Sequence, residues 1–387
     1  MLHVGRRSSQ LEVLDFHLPS QWDFLELSPT YVGSPNFLEE LPSLREIHLP
    51  MRHIPPEMIR TLSQMKNLHL LNTCPAGLER DSSMCCKPET DIYPDEVEFP
   101  SLSSLFLHMP FAPLQKCATS LLFAPQLSSL YIEIPDSVNP ASKQFQLILK
   151  LVSEACMNLI SLILRKSQPE TPLLYPRERI LFEAIRPALY LEHLRVFELY
   201  DSSPLCISDD EMAELASQWP EIEILRLCPE ALQDSTVDLP ALPSLASLFP
   251  LARHCPKLRH LGLQVDATVR VSRLEGDLST GIMFSEELKE LDLTWSKINS
   301  PAEVAAFLLE IIPSHVVFSY RPGIRSLQSH THWMDRPRND PANKEHLRMW
   351  TEAENILNAL RPHRVMVDRM KRELIKLNEQ LKWLEGI

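Results

Sequence analysis

One short frame recurs along this chain and restricts it to few folds. It consists of an apolar residue, two free positions, a second apolar residue, one free position and a third. "CPKLRHLGL" carries it as Leu258, Leu261 and Leu263. A spacing of three and then two is neither the stripe of a helix nor the alternation of a simple strand. The frame returns as Leu11, Leu14 and Phe16, then as Leu44, Ile47 and Leu49. "NLHLLNT" has Leu68 and Leu71, with Thr73 as a weak third member. Further copies are Leu102, Leu105 and Leu107; Leu127, Leu130 and Ile132; and Leu159, Leu162 and Leu164. Then come Leu194, Phe197 and Leu199, followed by Ile222, Leu225 and Leu227. After the copy in "CPKLRHLGL", the last is Leu288, Leu291 and Leu293. The ten copies start 24 to 36 residues apart.

The last two apolar residues of a copy stand two apart, so on a strand both face one side. A single unit cannot bury that side, but stacked neighbours can, and their strands then pair in parallel. This is the frame and period of leucine-rich repeats. The expected fold is α/β: a solenoid of about ten irregular repeats, with a parallel concave sheet and the helices outside. Parallel strands need crossovers, and the segments between copies read as helices. "PPEMIRTLSQM" offers Met58, Ile59 and Leu62 at helical spacing, and "SKQFQLILKLVSEAC" offers Phe145, Ile148, Leu149 and Val152. Ser208 with Glu211 predicts a capping box, and Ser300, Pro301 and Glu303 repeat the device.

Pro42, Pro100, Pro125, Pro220 and Pro256 each stand two residues before the first apolar residue of a copy. There they are expected to stop the helix and extend the chain into the strand. One residue earlier lies a slot filled by Leu41, Met65, Phe99, Leu191 or Trp219. Cys156 and Cys255 occupy the same slot and read as core residues.

The chemistry-bearing residues are sparse. The net charge of −13 argues against general nucleic-acid binding. With only 8 glycines there is no phosphate-cradling loop. Cys85 and Cys86 lie in the acidic insertion 77–98, and His330 and His332 form "HTHW", but neither pair has further ligands at metal spacing. No serine, histidine or aspartate stands in a nucleophile motif. The chain therefore reads as a non-enzyme with no cofactor and no metal. The start, "MLHVGRRSSQ", has no apolar core of a signal peptide, and no run reaches membrane-spanning length, so a cytoplasmic or nuclear location is expected.

Three segments follow from the pattern. Residues 1–320 are the expected repeat solenoid, 321–341 a polar linker, and 342–387 a helical hairpin or short coiled coil. The frame already runs at Leu11, which leaves no room for a polar cap and predicts a truncated amino terminus. "HVVFSY" reads as a last, cap-like strand. Pro362 is expected to split the tail into two helices. The second carries Val367, Met370, Leu374, Leu377, Leu381 and Leu384 with alternating spacings of three and four, a coiled-coil seam. The tail folds on itself or back onto the repeats, or self-associates through 364–385.

The residue between the two inward apolar positions of each strand faces the concave side. In order these are Asp15, His48, Asn72, Phe106, Tyr131, Ile163, Glu198, Arg226, Gly262 and Asp292. Phe106, Tyr131 and Ile163 are consecutive, large and apolar, with Glu198 and Arg226 at their border. An aromatic centre with a charged rim is the make-up of a protein-binding surface. These five residues are the candidate partner-binding site.

With its "CPKLRHLGL"-like frames, the chain resembles the leucine-rich domains of F-box proteins. "SPAEVAAFLLEIIP" followed by "LRMWTEAENIL" is similar to the carboxyl end of the fungal, basidiomycete-type F-box/leucine-rich-repeat group. The resemblance spans about residues 8 to 360. It implies a substrate-recognition role in a ubiquitin ligase. The F-box itself, which docks on the ligase adaptor, is not visible ahead of the first repeat, so adaptor binding is expected only if one lies upstream. The alternative is a stand-alone repeat protein that dimerises through its tail.

Overall fold

The structure, a computed structural model, describes residues 10–15, 36–49, 56–73, 99–111, 114–115, 124–135, 141–166, 179–229, 231, 242–269, 282–294, 296–319 and 341–384. The chain forms two compact units, Met1–Ile207 with Glu221–Asp238, and Ser208–Pro220 with Leu239–Ile387.

The first unit holds β1 (Val13–Asp15), β2 (Glu46–His48), β3 (Leu70–Asn72), β4 (Ser104–His108), β5 (Ser129–Ile134), β6 (Ser161–Lys166), β7 (Ile180–Leu181), β8 (Val196–Tyr200), β9 (Leu205–Cys206) and β10 (Ile224–Leu227). Eight of these make one sheet in the order β1-β2-β3-β4-β5-β6-β8-β10, and every pair is parallel. The two-residue strands β7 and β9 pair with each other. The second unit holds β11 (His260–Leu263), β12 (Asp266–Ala267), β13 (Glu290–Asp292), β14 (Lys297–Ile298) and β15 (Val317–Ser319). Here β11, β13 and β15 pair in parallel, and β12 pairs with β14. Each of the ten frames thus forms a strand, and "HVVFSY" supplies an eleventh. The architecture is a leucine-rich-repeat solenoid.

Helices lie between the strands and after the last of them. They are α1 (Asn36–Glu39), α2 (Pro56–Ser63), α3 (Ala141–Ala155) and α4 (Phe182–Ile185) in the first unit. The second has α5 (Asp209–Gln218), α6 (Leu248–His254), α7 (Pro301–Ile311) and α8 (Pro341–Leu384). The expected helical faces are buried: Met58, Ile59 and Leu62 on α2, and Phe145, Ile148, Leu149 and Val152 on α3. The capping box of α5 is complete, with Glu211 N–H donating to Ser208 Oγ and Ser208 N–H to the Glu211 carboxylate. Ser300 caps α7 in the same way, accepting from the Glu303 N–H, with Pro301 opening the helix.

The prolines act differently from expectation. They do not extend the chain before the strand. The first apolar residue of a copy donates its N–H to the carbonyl of the slot residue three positions earlier, as in Leu44 to Leu41, Leu127 to Ala124 and Leu258 to Cys255. That closes a β-turn in which Pro42, Pro125 and Pro256 hold the second position, where a fixed φ near −65° suits the turn. The slot residue is buried because the turn points it inward: Leu41, Phe99, Leu191, Trp219, Cys156 and Cys255 are all core. Burial pushes the thiols of Cys156 and Cys255 up to about 12.

A second regularity locks the register. In the first unit the carbonyl just before a strand accepts two successive N–H groups from the next copy, from Glu12 through Arg195. Ser103 takes those of Ser128 and Ser129, Ser128 those of Ile160 and Ser161, and Ile160 those of Arg195 and Val196. Both lone pairs are thereby used. Thr73, the weak third member, is buried, and its hydroxyl continues the ladder. It donates to the Phe106 carbonyl at 3.0 Å and accepts from the His108 N–H at 2.9 Å.

The tail departs from expectation. The segment read as a helical hairpin or short coiled coil, split at Pro362, is a single 44-residue helix, α8, with Pro362 inside it. Packing on both sides of the proline explains its survival. Before it, Trp350, Ala353 and Leu357 are buried, and the Trp350 ring lies against Phe318 with centroids 5.5 Å apart. Just past it, Arg364 donates to the carbonyls of Leu309 and Glu310 in the last turn of α7. Arg361 donates to the Val316 carbonyl at 2.7 Å. These contacts offset the roughly 3 kcal/mol that proline costs in a helix interior. Farther along, Met370, Leu374 and Leu377 are 52, 68 and 58% exposed. The expected linker lies outside the described residues except for Pro341, which opens the helix. Among the described residues no helix is long and apolar enough to cross a membrane.

Candidate functional site

In-register parallel pairing turns one position of the repeat frame into one line across the sheet. In the first unit that line is Asp15, His48, Asn72, Phe106, Tyr131, Ile163, Glu198 and Arg226, each the direct partner of the next. The five candidate residues, Phe106, Tyr131, Ile163, Glu198 and Arg226, are therefore brought together. Their neighbours along each strand, such as Leu105 and Leu107 on β4, point into the core and are buried. Gly262 and Asp292 form their own line with Ser319 in the second unit.

The centre of the line is apolar. The rings of Phe106 and Tyr131 stack with centroids 5.7 Å apart and planes 28° from parallel. Ile163 stands next to Tyr131 on β6. All three are half-buried rather than fully exposed, because each covers part of its neighbour. One rung before them lie Ser104, Ser129 and Ser161, again in register. These short side chains leave one flank of the apolar group approachable.

One rung after them runs a second line that the frame did not single out: His108, Glu133, Arg165 and Tyr200. The Tyr131 hydroxyl donates to Glu133 at 3.1 Å, and His108 Nδ1 lies 3.6 Å from the same carboxylate. The Tyr200 hydroxyl donates to Glu198 Oε2 at 2.5 Å and accepts from Arg226 Nη1 at 3.2 Å. Burial pushes the Tyr200 phenol well above its ordinary value, and the Glu198 carboxylate adds to the shift while Arg226 opposes it. It therefore stays a neutral donor. The Arg165 guanidinium lies over the Tyr200 ring, 4.6 Å from its centroid. The second line stops at Tyr200 because Cys228, which would continue it from β10, turns into the left-handed region with φ 47°. The signal for this line was in the sequence: it is the same strand period taken one step further.

This surface combines aromatic area, hydrogen-bonded hydroxyls and both signs of charge. Among the described residues no three His, Cys, Asp or Glu side chains are grouped to hold a metal ion. Cys85, Cys86, the insertion 77–98, His330 and His332 lie outside the described residues.

No protein-family model matches the chain, and no curated protein does. Among solved structures it is similar to one described as the crystal structure of the Rad7 and Elc1 complex in yeast. The identity is 16%, over 83% of this chain and 76% of that one, with a TM-score of 0.35. An overlap that small carries no argument about function. The chain's own repeats and sheet define it as a leucine-rich-repeat protein.

Proposed function

We propose that the chain is a non-enzymatic protein-recognition scaffold, the substrate-recognition part of an F-box-type ubiquitin ligase receptor. The observation that carries the recognition role is the line Phe106, Tyr131, Ile163, Glu198 and Arg226 on the face of the sheet turned away from the core. Aromatic anchors with a charged border are where protein interfaces concentrate their affinity. The ligase role is supported by the likeness of the repeat words to those of F-box/leucine-rich-repeat proteins. Affinity purification from the native cell, followed by identification of captured proteins, tests both parts. Tyr131→Ala should lower capture of the partner about thirtyfold in affinity, as expected for an aromatic anchor. Unchanged capture would remove the face from consideration. A ligase adaptor in the wild-type capture supports the receptor role, and its absence favours a scaffold outside the ubiquitin system.

A second reading has its own observation. The apolar residues Met366, Val367, Met370, Leu374 and Leu377 are exposed on the far part of α8. They suit self-association of a stand-alone repeat protein through this helix. Sedimentation equilibrium tests it: a dimer that Leu374→Asp converts to monomer supports the reading, and a wild-type monomer ends it.

A further inference from the structure

Arg165 is the one residue of the second line whose charge is left unanswered. Its neighbours on the adjacent strands are Glu133 and Tyr200. Glu133 is engaged by the Tyr131 hydroxyl and by His108. The Arg165 guanidinium turns to the Tyr200 ring instead, and its Nε is buried without a hydrogen-bond partner. Among the described residues no carboxylate forms an ion pair with it. Stacking on a neutral phenol holds the planar fork in place but uses none of its N–H donors. The result is a pre-oriented cation beside an apolar surface.

Geometry defines what would satisfy it. Arg165 lies two residues beyond Ile163 on the same strand, about 6.6 Å along it, and one strand over from Tyr131, about 4.8 Å across. A ligand reaching both points needs an apolar and an anionic group about 7 Å apart. Side chains two apart on an extended segment, or three to four apart on a helix, meet that requirement. The anion is better a carboxylate than a phosphate. Glu133 and Glu198 stand on the strands either side of Arg165, and they repel a nearly doubly charged phosphate far more than a singly charged carboxylate.

We propose that this face recognises a protein segment that presents an aspartate or glutamate to Arg165 and seats a large apolar side chain on Phe106, Tyr131 and Ile163. This rests on the recognition role proposed above and names the chemistry of its partner. The test is selection from a random linear peptide library on the full chain, with wild type, Arg165→Gln, Arg165→Glu and Tyr131→Ala, each checked by circular dichroism for an intact fold. Wild type should enrich peptides pairing an acidic residue with a large apolar one. Arg165→Gln should bind those peptides about tenfold more weakly, the loss expected for a charge-assisted pair. Arg165→Glu should select lysine or arginine in the acidic position. Enrichment of apolar residues with no acidic preference, or identical selections by wild type and Arg165→Glu, overturns the assignment while leaving the face a binding surface. Tighter binding of an enriched peptide remade with phosphoserine at the acidic position overturns the choice of a carboxylate. If Tyr131→Ala selects the same peptides as wild type, or wild type selects none, the face itself is not the recognition surface and both proposals fall.

Discussion

The Trp350 indole N–H donates to the backbone carbonyl of Ser296 across 2.7 Å, tying the tail helix to the end of the repeats. Both groups are buried, and 54 residues of chain separate them. Trp350→Phe keeps an aromatic ring, smaller than the indole, but leaves the carbonyl unsatisfied, at a cost of about 1–3 kcal/mol. Trp350→Ala also opens a cavity and should cost about 3–5 kcal/mol. Urea denaturation followed by circular dichroism reads both. Equal midpoints for wild type and Trp350→Ala would show that the helix does not dock.

Pro362 distinguishes one helix from two. Within a continuous helix, Pro362→Ala restores a backbone donor and relieves the proline's clash with the preceding turn. Stability should rise by about 1–3 kcal/mol, with more helical ellipticity. A proline at the turn of a hairpin would give the opposite, a loss on substitution. The same denaturation experiment separates the outcomes.

Thr73 bridges β3 and β4 through its hydroxyl. Thr73→Val preserves shape and removes the donor to Phe106 and the acceptor for the His108 N–H. The expected loss is about 1–2 kcal/mol, with Thr73→Ser close to wild type. Hydrogen exchange should show faster exchange at the His108 amide in the valine variant. Unchanged exchange there would mean that the hydroxyl is not part of the ladder.

The buried thiols give the fold a limit in alkali. Cys156 and Cys255 are held neutral to about 12, above the ordinary value of 9.0. A group whose folded value is raised contributes its full stability below the unfolded value and loses it as pH climbs toward the folded one. Stability should therefore fall between pH 9 and about 12, and Cys156→Ala with Cys255→Ala should flatten part of that fall. At pH 8 both thiols should resist alkylation until the chain is unfolded. Rapid labelling of either in the native protein would contradict their place in the slot.

Much of this was legible because a repeat states the same thing many times. Each of the ten frames became a strand, and the line from Phe106 to Arg226 followed from counting one position within the frame. Parallel stacking in register converts that count directly into adjacency. The failures have local causes. Pro362 reads as a helix break, and only the packing of Trp350 and Leu357 and the bonds of Arg361 and Arg364 keep the helix whole. Pro42 and its equivalents were placed correctly but given the wrong job, since a turn and an extension use the same φ. The short strands β7, β9, β12 and β14 hold two residues each, too few to show a period. The stacking of Phe106 on Tyr131, and the turn of Arg165 toward Tyr200, depend on side-chain choices between strands that no single copy encodes.

The shared carbonyls before each strand have a further consequence. In the first unit they fix where a strand begins relative to its neighbour, whatever the length of chain that runs between. In the first unit the copies start 24 to 35 residues apart, yet their strands pair in register. The face turned away from the core in that unit keeps one letter per strand in a fixed order. Such a surface behaves like a line of movable type, in which an outward residue such as Ile163 can be exchanged without resetting the letters beside it.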